Sequence, residues 1–150
     1  MKHIIIVNCL AVKNKLRSAY WCVHTNNLDM LQKYVAKFGL RISTKFERVV
    51  YNPEMVSEKI INKAFTTQDD VTIGKLLGYP SPGEVFEKWW ISWQITDDGN
   101  PNIANKYNTL FTFQMKNLNT KKLIKMRNLW NKTLPQYNFN FSIRYNDDYK

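Results

Sequence analysis

Lysines 121, 125 and 132, with Asn128 between them, fall at helical spacing in the stretch T-K-K-L-I-K-M-R-N-L-W-N-K-T, and Lys122 and Arg127 flank them. At about 1.5 Å per residue the row spans roughly 16 Å, comparable to two or three successive phosphates along a strand. A basic first turn opposes the helix dipole, so the charge is not there to stabilise the helix. Lys13, Lys15 and Arg17 form a second basic cluster, read as a hairpin loop, that would extend the patch if the first hairpin tip lies nearby. Trp89 and Trp90 are adjacent, so they cannot both face one core layer, and one of them is a candidate stacking platform for a base.

Catalytic chemistry has weaker support. Acids come as Asp69-Asp70, Asp97-Asp98 and Asp147-Asp148, with Glu84 and Glu87 near the middle. A metal-dependent phosphodiesterase would need at least two of Asp69, Asp70, Glu84, Glu87, Asp97 and Asp98 in one cleft. No fixed spacing asks for that. His3 and His24 are the only imidazoles, and His24-Thr25 would be half of an H-x-T phosphoesterase pair whose second copy is absent. Ser81 lacks a nucleophile-elbow context. Gly74-Lys75 lacks the upstream glycine and following Ser or Thr of a P-loop, and no zinc spacing occurs. The residues therefore suggest no catalytic set, cofactor or metal.

Composition sets the frame for these residues. The chain carries 22 basic and 12 acidic residues for a net charge of +10, and lysine dominates with 17 against 5 arginines. Such a balance steers toward anionic partners. Abundant Lys, Asn and Ile together are also what AT-rich coding sequence yields. With 150 residues, 44% hydrophobic and 14% aromatic, one globular domain is expected, burying about two-thirds of its unfolded surface. Cys9 and Cys22 sit in apolar contexts and read as buried free thiols. No segment approaches a membrane span, and the N-terminal apolar run is short for a signal peptide, so a cytoplasmic protein without membrane contact is expected.

The expected fold class is α+β, a mainly antiparallel sheet of about 5–6 strands with about 4–5 helices packed on it. The strands are expected at His3–Val12, Ala19–His24, Arg41–Tyr51, Trp90–Thr96, Thr109–Met115 and Phe139–Tyr145. One helix covers Leu28–Phe38, capped by Asn26 or Asn27 and ended by Gly39. Another starts at Asn52-Pro53-Glu54. Thr67 and Asp70 have capping-box spacing, placing a helix start near Gln68 and its end at Gly78. Ser81-Pro82-Gly83-Glu84 reads as a further start, making a helix–turn–helix whose second helix carries Glu84 and Glu87 against Lys88 alone. That charge repels a duplex. Asp97 to Pro101 is a strong turn signal, and Asn119 caps a last helix over Thr120–Leu134 that Pro135 stops.

The segment I-G-K-L-L-G-Y-P-S-P-G-E-V-F, Ile73 to Phe86, resembles a G-K-x-L-G-Y/F-P-x-x-G segment of small uncharacterised accessory proteins of large DNA viruses. The resemblance covers about fourteen residues and carries no catalytic residues over. It implies a viral accessory role inside the host cell, binding a nucleic acid, a nucleotide or a host protein. The reading is therefore a non-catalytic basic protein that binds nucleic acid or a nucleotide-type phosphate ligand. A protein–protein module, as a homodimer or host-protein antagonist, and the phosphodiesterase or nuclease are the alternatives.

Overall fold

The apolar run at the N-terminus is a helix, α1 (Lys2–Lys13), and not the strand its isoleucines suggest. Ile5, Cys9 and Val12 form its inward stripe, while His3, Ile6, Leu10 and Lys13 are the more solvated positions. Those two sets have helical spacing, but a continuous apolar run hides the period, and packing overrides the strand preference of β-branched residues. A Schellman motif ends α1: Leu16 N–H donates to Ala11 O at 3.0 Å and Lys15 N–H to Val12 O at 3.2 Å. Lys15 takes the left-handed conformation there, φ 62. The basic segment Lys13–Arg17 is thus a helix cap leading into a strand, not a hairpin tip.

The computed structural model describes residues 2–23, 25–80, 88–96 and 108–145. Within these it shows an α+β protein of five helices and two three-stranded antiparallel sheets. The chain divides into two compact units, Met1–Pro82 and Gly83–Lys150, each holding one sheet. The strands therefore do not join into the one sheet expected.

In the first unit, β1 (Ala19–Trp21), β2 (Arg41–Ile42) and β3 (Val49–Tyr51) pair in the order β1-β3-β2. Alternation along the strands separates two cores. Tyr20, Cys22 and Val50 face α1 and α2 (Leu28–Lys37) together with Leu31 and Val35. Ala19, Val49 and Tyr51 face α3 (Glu58–Thr67) and α4 (Asp70–Leu76) through Ile61, Ala64, Leu76 and Leu77. The sheet is the middle layer of three.

The caps explain the boundaries. Asn27 Oδ1 accepts from Asp29 N–H at 3.2 Å, and Gly39 closes α2 at φ 69. The helix expected at Asn52-Pro53 starts later, at Glu58, because Asn52 makes a turn and Ser57 is the N-cap. At the next boundary Gln68 ends α3 in the left-handed region, and Asp69, not Thr67, caps α4. Gly78 ends α4 at φ 82, as the sequence suggests. The strand expected over Arg41–Tyr51 is a hairpin. Buried Ser43 breaks it, its Oγ accepting from Phe46 N–H at 3.0 Å and donating to Asn62 Oδ1 at 2.5 Å.

In the second unit β4 (Trp89–Ile95) is central, between β5 (Thr109–Met115) and β6 (Phe139–Tyr145). Helix α5 (Thr120–Thr133), capped by Asn119, crosses one face. Trp130 meets Trp93 edge-on at 5.5 Å and Phe139 at 5.2 Å, while Trp93 stacks on Phe141 at 6.2 Å. Buried aromatic clusters of this kind carry much of a small unit's stability. Asn131 also docks on the edge strand, donating to Phe139 O at 3.1 Å and accepting from Phe139 N–H at 2.8 Å. The helix expected at Ser81 and the turn at Asp97–Pro101 lie outside the described residues.

Candidate nucleic-acid interface

Helix α5 positions the lysine row. Leu123, Trp130 and Leu134 are its buried seam, and Lys121, Lys125, Asn128 and Lys132 are all exposed. At 100° per residue the three lysines lie opposite that seam, on the line pointing furthest from the sheet. Lys122 is exposed beside them. Arg127 is turned inward by comparison, with its guanidinium 5.8 Å from the Phe141 ring and Nη1 3.4 Å from Asn140 Oδ1. It is an anchor between helix and sheet as much as a surface cation. Exposed Ile124 and Leu129 interrupt the basic face.

Trp89 and Trp90 occupy opposite faces of the sheet. Trp89 shares the face of Trp93, which α5 covers; it lies between Met115 and Tyr145 and meets Tyr145 edge-on at 5.1 Å. Trp90 lies between Gln114 and Arg144 on the other face, with its Nε1 buried and without a hydrogen-bond partner among the described residues. Both rings are half-buried.

The second basic cluster belongs to the first unit and does not behave as a patch. Arg17 is only 3% exposed, which corrects the expectation of a surface cation. Its Nη1 donates to Asn8 Oδ1 at 2.7 Å and its guanidinium lies 5.6 Å from the Tyr20 ring. Burial pulls it down to about 10, so it stays cationic at neutral pH. Arg17 therefore serves as a buried tie, not a phosphate contact. Lys13 and Lys15 are exposed, but Lys13 Nζ sits 5.4 Å from the Phe38 ring and Lys15 pairs with Glu54 at 3.4 Å.

The acidic candidates do not assemble among the described residues. Asp69 caps α4, its Oδ2 accepting from Thr72 Oγ1 at 2.7 Å, and this hydrogen bond holds its carboxyl below the ordinary value. Glu84, Glu87, Asp97, Asp98, Asp147, Asp148, Ser81 and His24 lie outside the described residues. Among the described residues no three His, Cys, Asp or Glu side chains are grouped to hold a metal ion, and no helix is long and apolar enough to cross a membrane. Cys9 and Cys22 are buried free thiols, and burial, then the neighbouring Cys22, pushes the Cys9 thiol up to about 12.

Sequence reasoning missed a cleft of ≈ 680 Å³ in the first unit. Trp21, Phe46 and Phe65 wall it, with Phe65 edge-on to Trp21 at 5.7 Å and tilted against Phe46 at 5.7 Å. Three residues on one stripe of α3 hold its lip. Asn62 accepts from Ser43, Glu58 accepts from Thr44 N–H at 2.6 Å, and Thr66 accepts from Lys45 Nζ at 2.8 Å. The α3–α4 elbow supplies Gln68 and Asp70.

Comparison with protein-family models, curated proteins and solved structures finds no match.

Proposed function

We propose that this chain is a non-catalytic basic protein that binds nucleic acid, engaging the sugar–phosphate backbone with the outer face of α5. The observation that carries the reading is the lysine row: Lys121, Lys125 and Lys132 project to solvent on the line opposite the helix's buried seam. A row of point charges at this spacing follows a phosphate backbone without reading bases. The net charge of +10 adds steering of anionic ligands toward the chain.

The test is the salt dependence of oligonucleotide binding, followed by fluorescence anisotropy, for wild type and for K121E/K125E/K132E. Each phosphate contact contributes about −0.9 to the log–log slope on duplex DNA and about −0.7 on a single strand. Loss of three contacts should flatten the slope by roughly 2–3 and weaken binding evenly across sequences. An unchanged slope would remove α5 from the interface. The exposed Ile124 and Leu129 favour a protein-contact reading instead, as in a homodimer. Sedimentation showing a dimer that L129E dissociates, with no oligonucleotide binding, would move the assignment there.

A further inference from the structure

The cleft walled by Trp21, Phe46 and Phe65 has the chemistry of a stacking site for a flat ring with polar edges. Trp21 stands at the end of β1 on the α3–α4 side of the sheet and is 49% exposed, unusual for an indole already in contact with another aromatic ring. Its edge-on contact with Phe65 covers at most one indole face, and the exposure of the side chain leaves room for a stacked occupant. The cavity, ≈ 680 Å³, falls within the range of small-ligand sites, which combine apolar walls with a few fixed polar groups.

Charge narrows the occupant. Lys45 and Arg48 are balanced by Glu47 and Asp70 along the lining. Arg48 is also spoken for: its Nη1 donates to Thr25 O at 2.5 Å and Cys22 O at 3.3 Å, and its Nη2 to Asn26 Oδ1 at 3.2 Å. A neutral interior of this kind suits an uncharged heteroaromatic ring and would not hold a bare phosphate. The exposed Gln68 and Asp70 supply a donor–acceptor amide and an acceptor, the groups that pair with the edges of bases. Lys45 at the lip keeps an ammonium within reach of a phosphate attached to such a ring. Its present partners, Thr66 Oγ1 and the Phe46 ring, are both uncharged.

We propose that this cleft takes a nucleobase stacked on Trp21, its edge read by Gln68 and Asp70 and its phosphate met by Lys45. The proposal deepens the nucleic-acid reading and rests on it for the ligand class, but it concerns different residues, in the first unit, from the lysine row.

The experiment titrates wild type, W21A, W21F and K121E/K125E/K132E with an eight-nucleotide oligodeoxyadenylate, an abasic strand of the same length, and adenosine monophosphate. Circular dichroism checks that each variant is folded. Stacking of one base on an aromatic side chain is worth about 5- to 150-fold in affinity. W21A should therefore weaken oligodeoxyadenylate binding by that factor and leave the abasic strand unchanged, with W21F losing less. Equal binding of the two strands by wild type, or an unaffected W21A, would overturn the proposal. The monophosphate separates the sources: saturable binding abolished by W21A points to a free nucleotide, whereas binding of the strand alone points to a base within a chain. The α5 variant keeps the two readings apart. If it leaves every salt slope unchanged while W21A still discriminates bases, the cleft stands and the lysine row fails; the converse result removes the cleft alone.

Discussion

Three helices in the first unit end in the same backbone motif, two with glycine and one with lysine at the left-handed position, and that makes a quantitative test. Gly39 follows α2, Gly78 follows α4 and Lys15 follows α1, with φ of 69, 82 and 62. Each has the paired closing hydrogen bonds, for example Tyr79 N–H to Gly74 O at 2.9 Å and Leu40 N–H to Val35 O at 2.9 Å. An alanine at either glycine meets the left-handed penalty of about 1–2 kcal/mol, partly offset by roughly 0.4–1 kcal/mol from a stiffer unfolded chain. At Gly39 nothing lies within 4 Å of the added Cβ, so G39A should cost about 1 kcal/mol. At Gly78 the new Cβ lies 2.9 Å from Arg17 Cβ and 3.4 Å from Leu16 O. Those atoms belong to the stem of a buried arginine and to the backbone, so they cannot swing aside. Overpacking adds about 1–3 kcal/mol, bringing G78A to roughly 2–4 kcal/mol. With a urea m-value near 2 kcal/mol/M, the midpoint should fall by about 0.5 M for G39A and about 1–2 M for G78A. Conversely K15G should stabilise by up to about 1 kcal/mol, since its exposed pair with Glu54 contributes little. Urea unfolding monitored by circular dichroism reads all three. If G78A proves no more costly than G39A, the close approach to Arg17 does not constrain the fold and the steric argument is wrong.

Alkaline pH should destabilise the protein in steps. The Cys9 thiol, ordinarily near 9, is pushed up to about 12 by burial, so above pH 9 the unfolded chain releases a proton that the folded chain keeps. Stability is complete below about pH 9 and falls by roughly 1.4 kcal/mol per pH unit above it. Above pH 10 Tyr20, also raised by burial, adds to the loss, while Arg17, lowered to about 10, offsets it. Urea midpoints across pH 8–11 should show this, with C9A removing the first step; a flat profile would contradict it. In the second unit, N131A strips both partners from the Phe139 backbone and should cost about 1–3 kcal/mol. Loss of hydrogen-exchange protection at the Phe139 amide is the specific readout, and unchanged protection would count against the clip.

Local chemistry was legible where it was self-contained. Asn27 and Asn119 cap helices, Gly39 and Gly78 end them, and the alternating runs Thr109–Met115 and Phe139–Tyr145 are strands. Each of those signals needs only a few neighbouring residues. The misreadings involve partners far along the chain. Nothing near Arg17 announces that its stem packs on Gly78 or that Asn8 takes its guanidinium. Ile4-Ile5-Ile6-Val7 favours a strand until α2 and the sheet are there to bury a helix. The aromatic cleft draws Trp21, Phe46 and Phe65 from three separated segments, so no spacing reveals it. The lysine row was visible because one helix carries all of it.

The three-layer arrangement of the first unit also sets an order of events on the ribosome. Helix α1 places Ile5, Cys9 and Val12 against Tyr20, Val50 and α2, so its apolar stripe has no complete cover until the strand holding Val50 has been made. At synthesis rates of about 5–20 residues per second, that stripe waits roughly 2–7 s after its own residues have been made. During that interval the nascent chain carries an unshielded isoleucine-rich segment, a ready substrate for holding chaperones. Slower elongation through residues 13–50 lengthens the exposure, and yield in a heterologous host should depend on codon choice there more than in the segment encoding α5.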